Sequence, residues 1–315
     1  LPGGVPSADT FRRVFEALDP QLFGECLAEI TADLVADLRG KVVAIDGKTM
    51  RGSFDRRTGT SPLHVVSAWV AERGLTLGQV VTEEKSNEIT AIPELLKKVD
   101  VRGATVTIDA MGCQKKIAEA IVDAGADYIL ALKDNHPVLR QEVEATILHP
   151  QAAGIPKNKV NTRRVENQGH GRQEVRTVTV ISDVTCITCA DDWKKLRSIV
   201  KVERERTVAG EKTSTETAYY LSSLTVGAST MGERIRAHWS IENNLHWSLD
   251  VVFAEDMSRI RSRNGAANLT QVRKLALGLL KREQSRSGKS ITKKRKLAGW
   301  VPDYAFEILG TISLK

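Results

Sequence analysis

The sequence predicts a mixed α/β protein. Between residues 41 and 132, short apolar runs and one-sided helical patterns follow in the order three strands, helix, strand, helix, strand, which calls for a sheet with helices packed on it. From about 160 to 224 the pattern is strand-rich with polar connections, and helical periodicity resumes near Thr230.

Taken in order, residues 8–38 read as helical. Phe11, Val14, Phe15 and Leu18 share a face, Ser7 or Asp9 stands where a cap is wanted, and a second helix is expected from Leu22 to Leu38. Val42-Val43-Ala44-Ile45 is a buried-strand pattern that ends at Asp46-Gly47. Leu63–Val70 and Leu75–Val81 are two further strands, with Glu72-Arg73-Gly74 as the turn of a hairpin. Asn87–Ile92 leads into a helix ending near Val99. Ala104–Ile108 is a strand that delivers Asp109, Gln114–Asp123 a helix stopped at Gly125, and Tyr128–Leu132 another strand. Val175–Ile181, Leu196–Arg206 and Thr217–Leu221 are the strands of the next region. A helix is expected through Glu242 to about His246 and another over Ala266–Glu283, with Leu269, Val272, Leu275, Ala276, Leu279 and Leu280 as its apolar face. The expected organisation is an N-terminal helical segment (1–40), a catalytic domain made of 41–159 and 225–315 with basic C-terminal helices, and a β-rich insertion (160–224).

At 315 residues the chain is long enough to bury a sizeable core. No run approaches the roughly 20 apolar residues of a membrane helix, so no membrane partner is expected. No charged-then-apolar leader opens the sequence, and the expected compartment is the cytoplasm. The chain opens with Leu1 and is read as lacking some N-terminal residues. Cys186 and Cys189 form a lone C-x-x-C pair. A structural zinc site needs four ligands, so they read as small buried thiols. The net charge is +7. Arg273, Lys274, Lys281, Arg282, Arg286, Lys289 and the run Lys293-Lys294-Arg295-Lys296 face only Glu283 in that stretch, and Lys48, Arg51, Arg56 and Arg57 follow Asp46 closely. Such clusters suit phosphate binding, or a solvated face.

Asp46 and Asp109 each follow an apolar run and precede a small residue. Carboxylates at buried strand ends are costly unless paired, and two of them on neighbouring strands make a site for a hard divalent cation. Two such ions clamp the attacking and leaving oxygens of phosphoryl transfer. A third acid is expected from Glu242, Asp250, Glu255 or Asp256, and periodicity does not choose among them. Lys48, Arg51, Lys85 and Lys133 lie in or just beyond loops at strand ends, where they suit contact with the phosphates of a nucleic acid or are simply exposed loop charges.

The strings AIDGKTMRGS (44–53), EEKSNEITAIPELL (83–96), TIDAMGCQ (107–114), GADYILALKDNH (125–136) and RAHWSIENNLHWSLDVVFAEDMSRIR (236–261) resemble the bacterial insertion-sequence DDE transposases of the H-repeat-associated group, and the resemblance covers nearly the whole chain. It implies a ribonuclease H-like fold with a β-strand insertion before the helix of the last acid. It implies Asp46, Asp109 and Glu242 as catalytic, metal-holding acids for two Mg²⁺ or Mn²⁺ ions. The implied reaction is cleavage at a transposon end followed by attack of the freed 3′-hydroxyl on target DNA. The implied partners are terminal inverted repeats and target DNA, bound by a homodimer on paired ends. Better-known relatives carry a Tyr and an Arg before the final Glu and a Lys after it; those positions hold Ile235, His238 and Leu249 here. Arg236, His238 and Trp239 are therefore candidates for DNA contact, with Arg172 in the insertion, after His170-Gly171, as another. Two other readings are a DNA-binding remnant or repurposed regulator without transposition, and a metal-dependent nuclease of the same fold.

Overall fold

The computed structural model describes residues 4–35, 37–82, 88–169, 171–208 and 213–310. The chain is a mixed α/β protein whose sheets are flanked by helices. It divides into two units, residues 1–100 with 239–315, and residues 101–238. Among the described residues no helix is long and apolar enough to cross a membrane.

In the first unit, β1 (Val42–Met50), β2 (Leu63–Val70) and β3 (Leu75–Thr82) form an antiparallel sheet. Every residue of β2 is buried, as a β-branched and aromatic run between two strands requires. The expected hairpin turn is present: Gly74 takes φ +65°, a conformation that favours glycine, and its N–H donates to Val70 O at 2.9 Å. Strand β1 corrects one expectation. It does not end at Asp46 but continues to Met50, because Lys48 and Thr49 pair with Val65 and His64. Asp46 therefore lies mid-strand, opposite Ser67, which in turn lies opposite Gln79.

Helix α1 (Ala8–Ala17) is capped by Ser7, which accepts from Thr10 N. Helix α2 (Pro20–Thr31) is capped by Asp19 and gives way at Ala32 to a 3₁₀ turn, well short of Leu38. Helix α3 (Glu88–Lys98) packs on β3. The long helix α7 (Arg263–Arg282) turns a more polar face inward than expected. It packs against α1, α2, β2 and β3, and its buried residues include Asn268, Gln271 and Lys274, while Leu269, Val272, Leu275 and Ala276 are only partly covered. Each buried head finds partners. Asn268 Nδ2 donates to Phe15 O and Leu18 O at 2.9 Å, and Gln271 Nε2 to Pro20 O at 2.9 Å. Lys274 Nζ donates to Ser67 Oγ at 2.7 Å and Gln79 Oε1 at 2.6 Å, and burial lowers its ammonium to about 8.

Two short helices, α8 (Ile291–Trp300) and α9 (Pro302–Leu309), are fastened to the end of α7 through Glu283. Its carboxylate accepts from Ser285 Oγ (2.5 Å), Arg286 N (2.8 Å) and Tyr304 Oη (2.9 Å), and pairs with Lys294 Nζ (3.0 Å). Burial pushes this carboxyl up, but those donors outweigh it and hold it at about 2. Its folded value thus lies below the ordinary carboxylate value of about 4.3. The clasp's stabilisation is full above that value and is lost as pH falls toward 2. Glu283→Gln is expected to cost about 3 kcal/mol at neutral pH, with the difference from the parent chain shrinking through that window in urea melts. A constant difference would refute the assignment. The basic stretch 273–296 is in part inward-facing: Lys274 and Lys294 are buried, and Lys281 lies 4.9 Å over the Trp69 ring.

In the second unit, β4 (Thr105–Ile108) and β5 (Asp127–Leu132) run parallel, connected through α4 (Lys115–Asp123). The sheet continues antiparallel through β9 (Ser214–Ser222), β8 (Ser198–Val208), β7 (Arg172–Ile181) and β6 (Val160–Gly169). Val178, Val180, Val200 and Val202 pack with Met231 and Ile235 of α6 (Ala228–His238). Strand β6 and helix α5 (Pro137–Leu148) were not expected from the pattern. Cys186 and Cys189 are half-buried free thiols, with Cys186 Sγ 3.5 Å from Thr146 Oγ1.

Candidate functional site

The helix expected to run unbroken to His246 changes character after α6. Ile241–His246 is a π-helix, and Ser248–Val252 is a second π segment. π turns are rare and concentrate at functional sites, because the extra residue re-aims side chains. Here the turn is held from two sides. Ile241, Leu245 and Leu249 enter a core with Ala44, Trp69 and Leu277, and Trp69 Nε1 donates to Ser240 Oγ at 3.1 Å.

That anchoring brings Glu242 and His246 to Asp46. Ala44 and Asp46 alternate onto one face of β1, so a strand that buries Ala44 against the π turn also aims Asp46 at it. His246 Nδ1 lies 3.5 Å from Asp46 Oδ2 and 3.4 Å from Glu242 Oε2. Potential ligand atoms of all three residues lie within 4.8 Å of one another. Asp46 and His246 are 17% and 7% exposed and Glu242 52%, so the cluster has a buried floor and one open side. The neighbouring His246 imidazole does most to lower the Glu242 carboxyl; partial burial works against it, and the His246 charge, Asp46 and Lys48 add to the lowering, holding it at about 2. Glu242 is therefore ionised at neutral pH. His246 Nε2 is buried without a hydrogen-bond partner among the described residues. Two carboxylates and an imidazole are a donor set that could hold a divalent cation.

Lys48, two residues beyond Asp46 and 12% exposed, is engaged: its Nζ lies 2.7 Å from Asp250 Oδ1 and 3.6 Å from Asp256 Oδ1. Two of the four candidate third acids thus answer Lys48. The remaining one, Glu255, is buried with Thr270 Oγ1 at 2.7 Å and Arg273 at 3.4 Å. Of the four, only Glu242 belongs to the cluster with Asp46 among the described residues.

Asp109 belongs to the second unit, where it ends β4 as its local pattern suggests. Its Oδ1 accepts from Met111 N (3.1 Å) and Gly112 N (3.4 Å). The loop after β5 braces this turn, with Asn135 Nδ2 donating to Ala110 O (2.8 Å) and His136 Nε2 bonding Cys113 O (2.7 Å). Burial pushes the Cys113 thiol up to about 12, and the Asp109 charge adds to it. Lys133 is exposed in that bracing loop. His238 shares a 3.0 Å hydrogen bond between its Nδ1 and Thr107 Oγ1, two residues before Asp109.

Arg51, Arg172 and Arg236 are exposed, as is Trp239 at 45%. Lys85 and His170 lie outside the described residues. Ile235 and Leu249 are core residues, which is why neither position carries a polar side chain. His246 is the site residue that sequence reasoning missed. The signal was present in the Glu242–His246 spacing, which places the two on one face of a helix.

Residues 37–279 match the family described as Transposase DDE domain. The Escherichia coli O157:H7 protein named "Putative transposase YncI" is 39% identical over 98% of this chain and 79% of its own length. The "H repeat-associated putative transposase YhhI" of Escherichia coli K12 is 37% identical over 94% of this chain and 78% of its own. The solved structure of the piggyBac transposase synaptic complex with hairpin DNA covers 84% of this chain and 57% of its own at a TM-score of 0.35 and 9% identity, a level at which no shared fold follows. With the family matched over most of its length and relatives of this similarity, the chain belongs to the DDE transposase family.

Proposed function

We propose that this chain cleaves DNA at the ends of its own insertion sequence and transfers the freed strand to target DNA, on a ribonuclease H-like fold with residues 160–224 as an insertion. The observation that carries the proposal is the Asp46–Glu242–His246 cluster, in which two acids distant in sequence come together in one open-sided group that could hold a cation. Asp109 is proposed as the third acid on the strength of its TIDAMGCQ motif and its place at the end of a buried strand.

Two divalent ions, Mg²⁺ or Mn²⁺, would polarise the scissile phosphodiester and stabilise charge on the attacking and leaving oxygens. Asp46 and Glu242 supply ionised oxygens for such ions. His246 fixes the separation of those two carboxylates from the buried side. The Lys48 ammonium, held by Asp250 and Asp256, offsets the repulsion between acids while remaining fixed in place. The attacking group is water or a DNA 3′-hydroxyl, so no side chain has to act as a nucleophile. Lys85, Lys133, Arg51, Arg172, Arg236, His238 and Trp239 are proposed to position the DNA, with a homodimer bridging two inverted-repeat ends in the cytoplasm.

The test uses purified protein, a duplex carrying the inverted repeat that brackets its gene, and a target plasmid. Nicked ends and joined products are expected with Mg²⁺ or Mn²⁺, and neither after chelation. Metal-dependent nicking without joining would favour a nuclease. Specific binding with no cleavage under either metal would favour a regulator.

A further inference from the structure

Beside the Asp46 cluster, the first unit holds a second feature. The 3₁₀ turn Arg51–Ser53 that follows β1, the loop running to Arg57, and the segment Asp256–Arg261 enclose an open cleft of about 500 Å³. Its walls carry Arg51, Arg56, Arg57, Arg259 and Arg261, against two carboxylates, Asp55 and Asp256.

The cleft is built rather than incidental. At Gly52 the two segments meet backbone to backbone, so that a Cβ there would collide with Ser258 O and Asp256 O. Ser53 Oγ donates to Met50 O and accepts from Leu63 N, both at 2.7 Å, and Asp55 and Thr60 exchange backbone hydrogen bonds at 3.1 Å. The guanidiniums standing on this frame are only loosely answered. Arg57 and Arg261 each approach Asp55 no closer than 3.9 Å, and the Arg51 guanidinium reaches Asp256 at 3.9 Å, all beyond hydrogen-bond length. Arg56 and Arg259 form no ion pair among the described residues. Five arginine forks around one cleft, against two carboxylates too distant to hydrogen-bond their guanidiniums, leave an excess of positive charge that suits an anion. Planar forks with free N–H donors match phosphate oxygens in bidentate fashion.

We infer that this arginine-lined cleft seats DNA backbone phosphates flanking the bond that is cut. The inference rests on the proposed transposase activity and adds a binding site to it. Arg51 lies five residues beyond Asp46 along an extended strand, roughly 16 Å away by strand rise. That span equals about five base-pair steps of duplex DNA. A duplex whose reacting phosphate lies at Asp46 and whose axis follows β1 would carry further phosphates past the cleft. Exposed Phe54 on the rim adds an apolar surface against which a sugar or base edge can rest.

The test is the salt dependence of binding to a short duplex of arbitrary sequence, followed by fluorescence anisotropy from about 50 to 200 mM salt without divalent metal. Arg56→Ala/Arg259→Ala is expected to flatten the slope of log affinity against log salt by about 2, since each lost phosphate contact removes about 0.9. The weakening is expected to be equal across DNA sequences. Arg56→Lys/Arg259→Lys is expected to restore the slope while recovering only part of the affinity, because lysine keeps the charge but not the fork. Thermal unfolding of each variant checks that the fold is intact. If the parent chain binds and the alanine variant's slope is unchanged, the inference about the cleft fails and the transposase reading stands. The same holds if the cleft instead captures an acidic peptide such as polyglutamate. If the parent chain shows no salt-dependent DNA binding, both fail together.

Discussion

Replacing Glu242 by glutamine is expected to reduce strand cleavage on the order of 10³-fold, the scale of removing a group that stabilises charge in a transition state. The substitution keeps the side chain's size and one carbonyl oxygen but removes the negative charge. The ionised Glu242 carboxylate is held by His246, so losing its charge should lower the unfolding midpoint, but only modestly because the side chain is half exposed. DNA affinity measured without metal should likewise stay within a few-fold. Asp46→Asn should match the loss of cleavage with some loss of stability, since Asp46 is mostly buried. Asp109→Asn is a clean test of the third acid. Asparagine retains the oxygen that accepts from Met111 and Gly112, so the turn survives while the charge is removed. Undiminished nicking by any of the three variants, assayed on the element's own ends with Mg²⁺, would remove that residue from the catalytic set.

Gly47→Ala is expected to destabilise the protein by about 2–4 kcal/mol, read as a lower urea midpoint at unchanged slope. Gly47 sits next to Asp46 on the opposite face of β1. An added Cβ there would run into His64 Nε2 and Glu88 Oε1. Those two atoms are 2.7 Å apart in a pair that is almost wholly buried, and His64 Nδ1 bonds Thr49 Oγ1 at 2.9 Å. The methyl must either break this chain of polar contacts or push β1 away from it, and the second outcome moves Asp46. Cleavage is therefore expected to fall along with stability. Trimming the obstruction should relieve the strain, so Gly47→Ala/Glu88→Ala should cost less than the sum of the single changes. A loss below about 0.5 kcal/mol, the scale of an ordinary surface substitution, would show that the pair yields freely.

Asp109 and Asp46 show what the sequence could and could not convey. Ile108-Asp109-Ala110 reads correctly because the strand does stop there and the carboxylate turns the chain. Ile45-Asp46-Gly47 reads the same way locally, yet β1 continues. What decides it is pairing with Val65 and His64, contacts that no local pattern records. Strand β6 was invisible for the opposite reason. Val160–Gly169 is exposed along almost its whole length, so it lacks the alternation that burying one face imposes. On α7, the leucine stripe was visible, but the helix is wrapped from several sides and its most confined face holds Asn268, Gln271 and Lys274, each satisfied by a distant partner. Glu242 was one acid among four until a motif resemblance favoured it, and its junction with Asp46 and His246 depends on a π turn that a 3.6-residue period does not describe.

The same π turn makes the chain sensitive to residue number as well as residue kind. A π segment carries more residues per turn than an α-helix, so removing one residue lets it relax into ordinary α register. Deleting either Asn243 or Asn244, both exposed, would discard no core contact and no charge. In that register Glu242 and His246 would stand three residues apart instead of four, still on one face but with a different offset between them. Loss of a single codon would here reset the spacing of the two side chains that face Asp46, whereas in an ordinary α-helix it would turn everything beyond the deletion by about 100°.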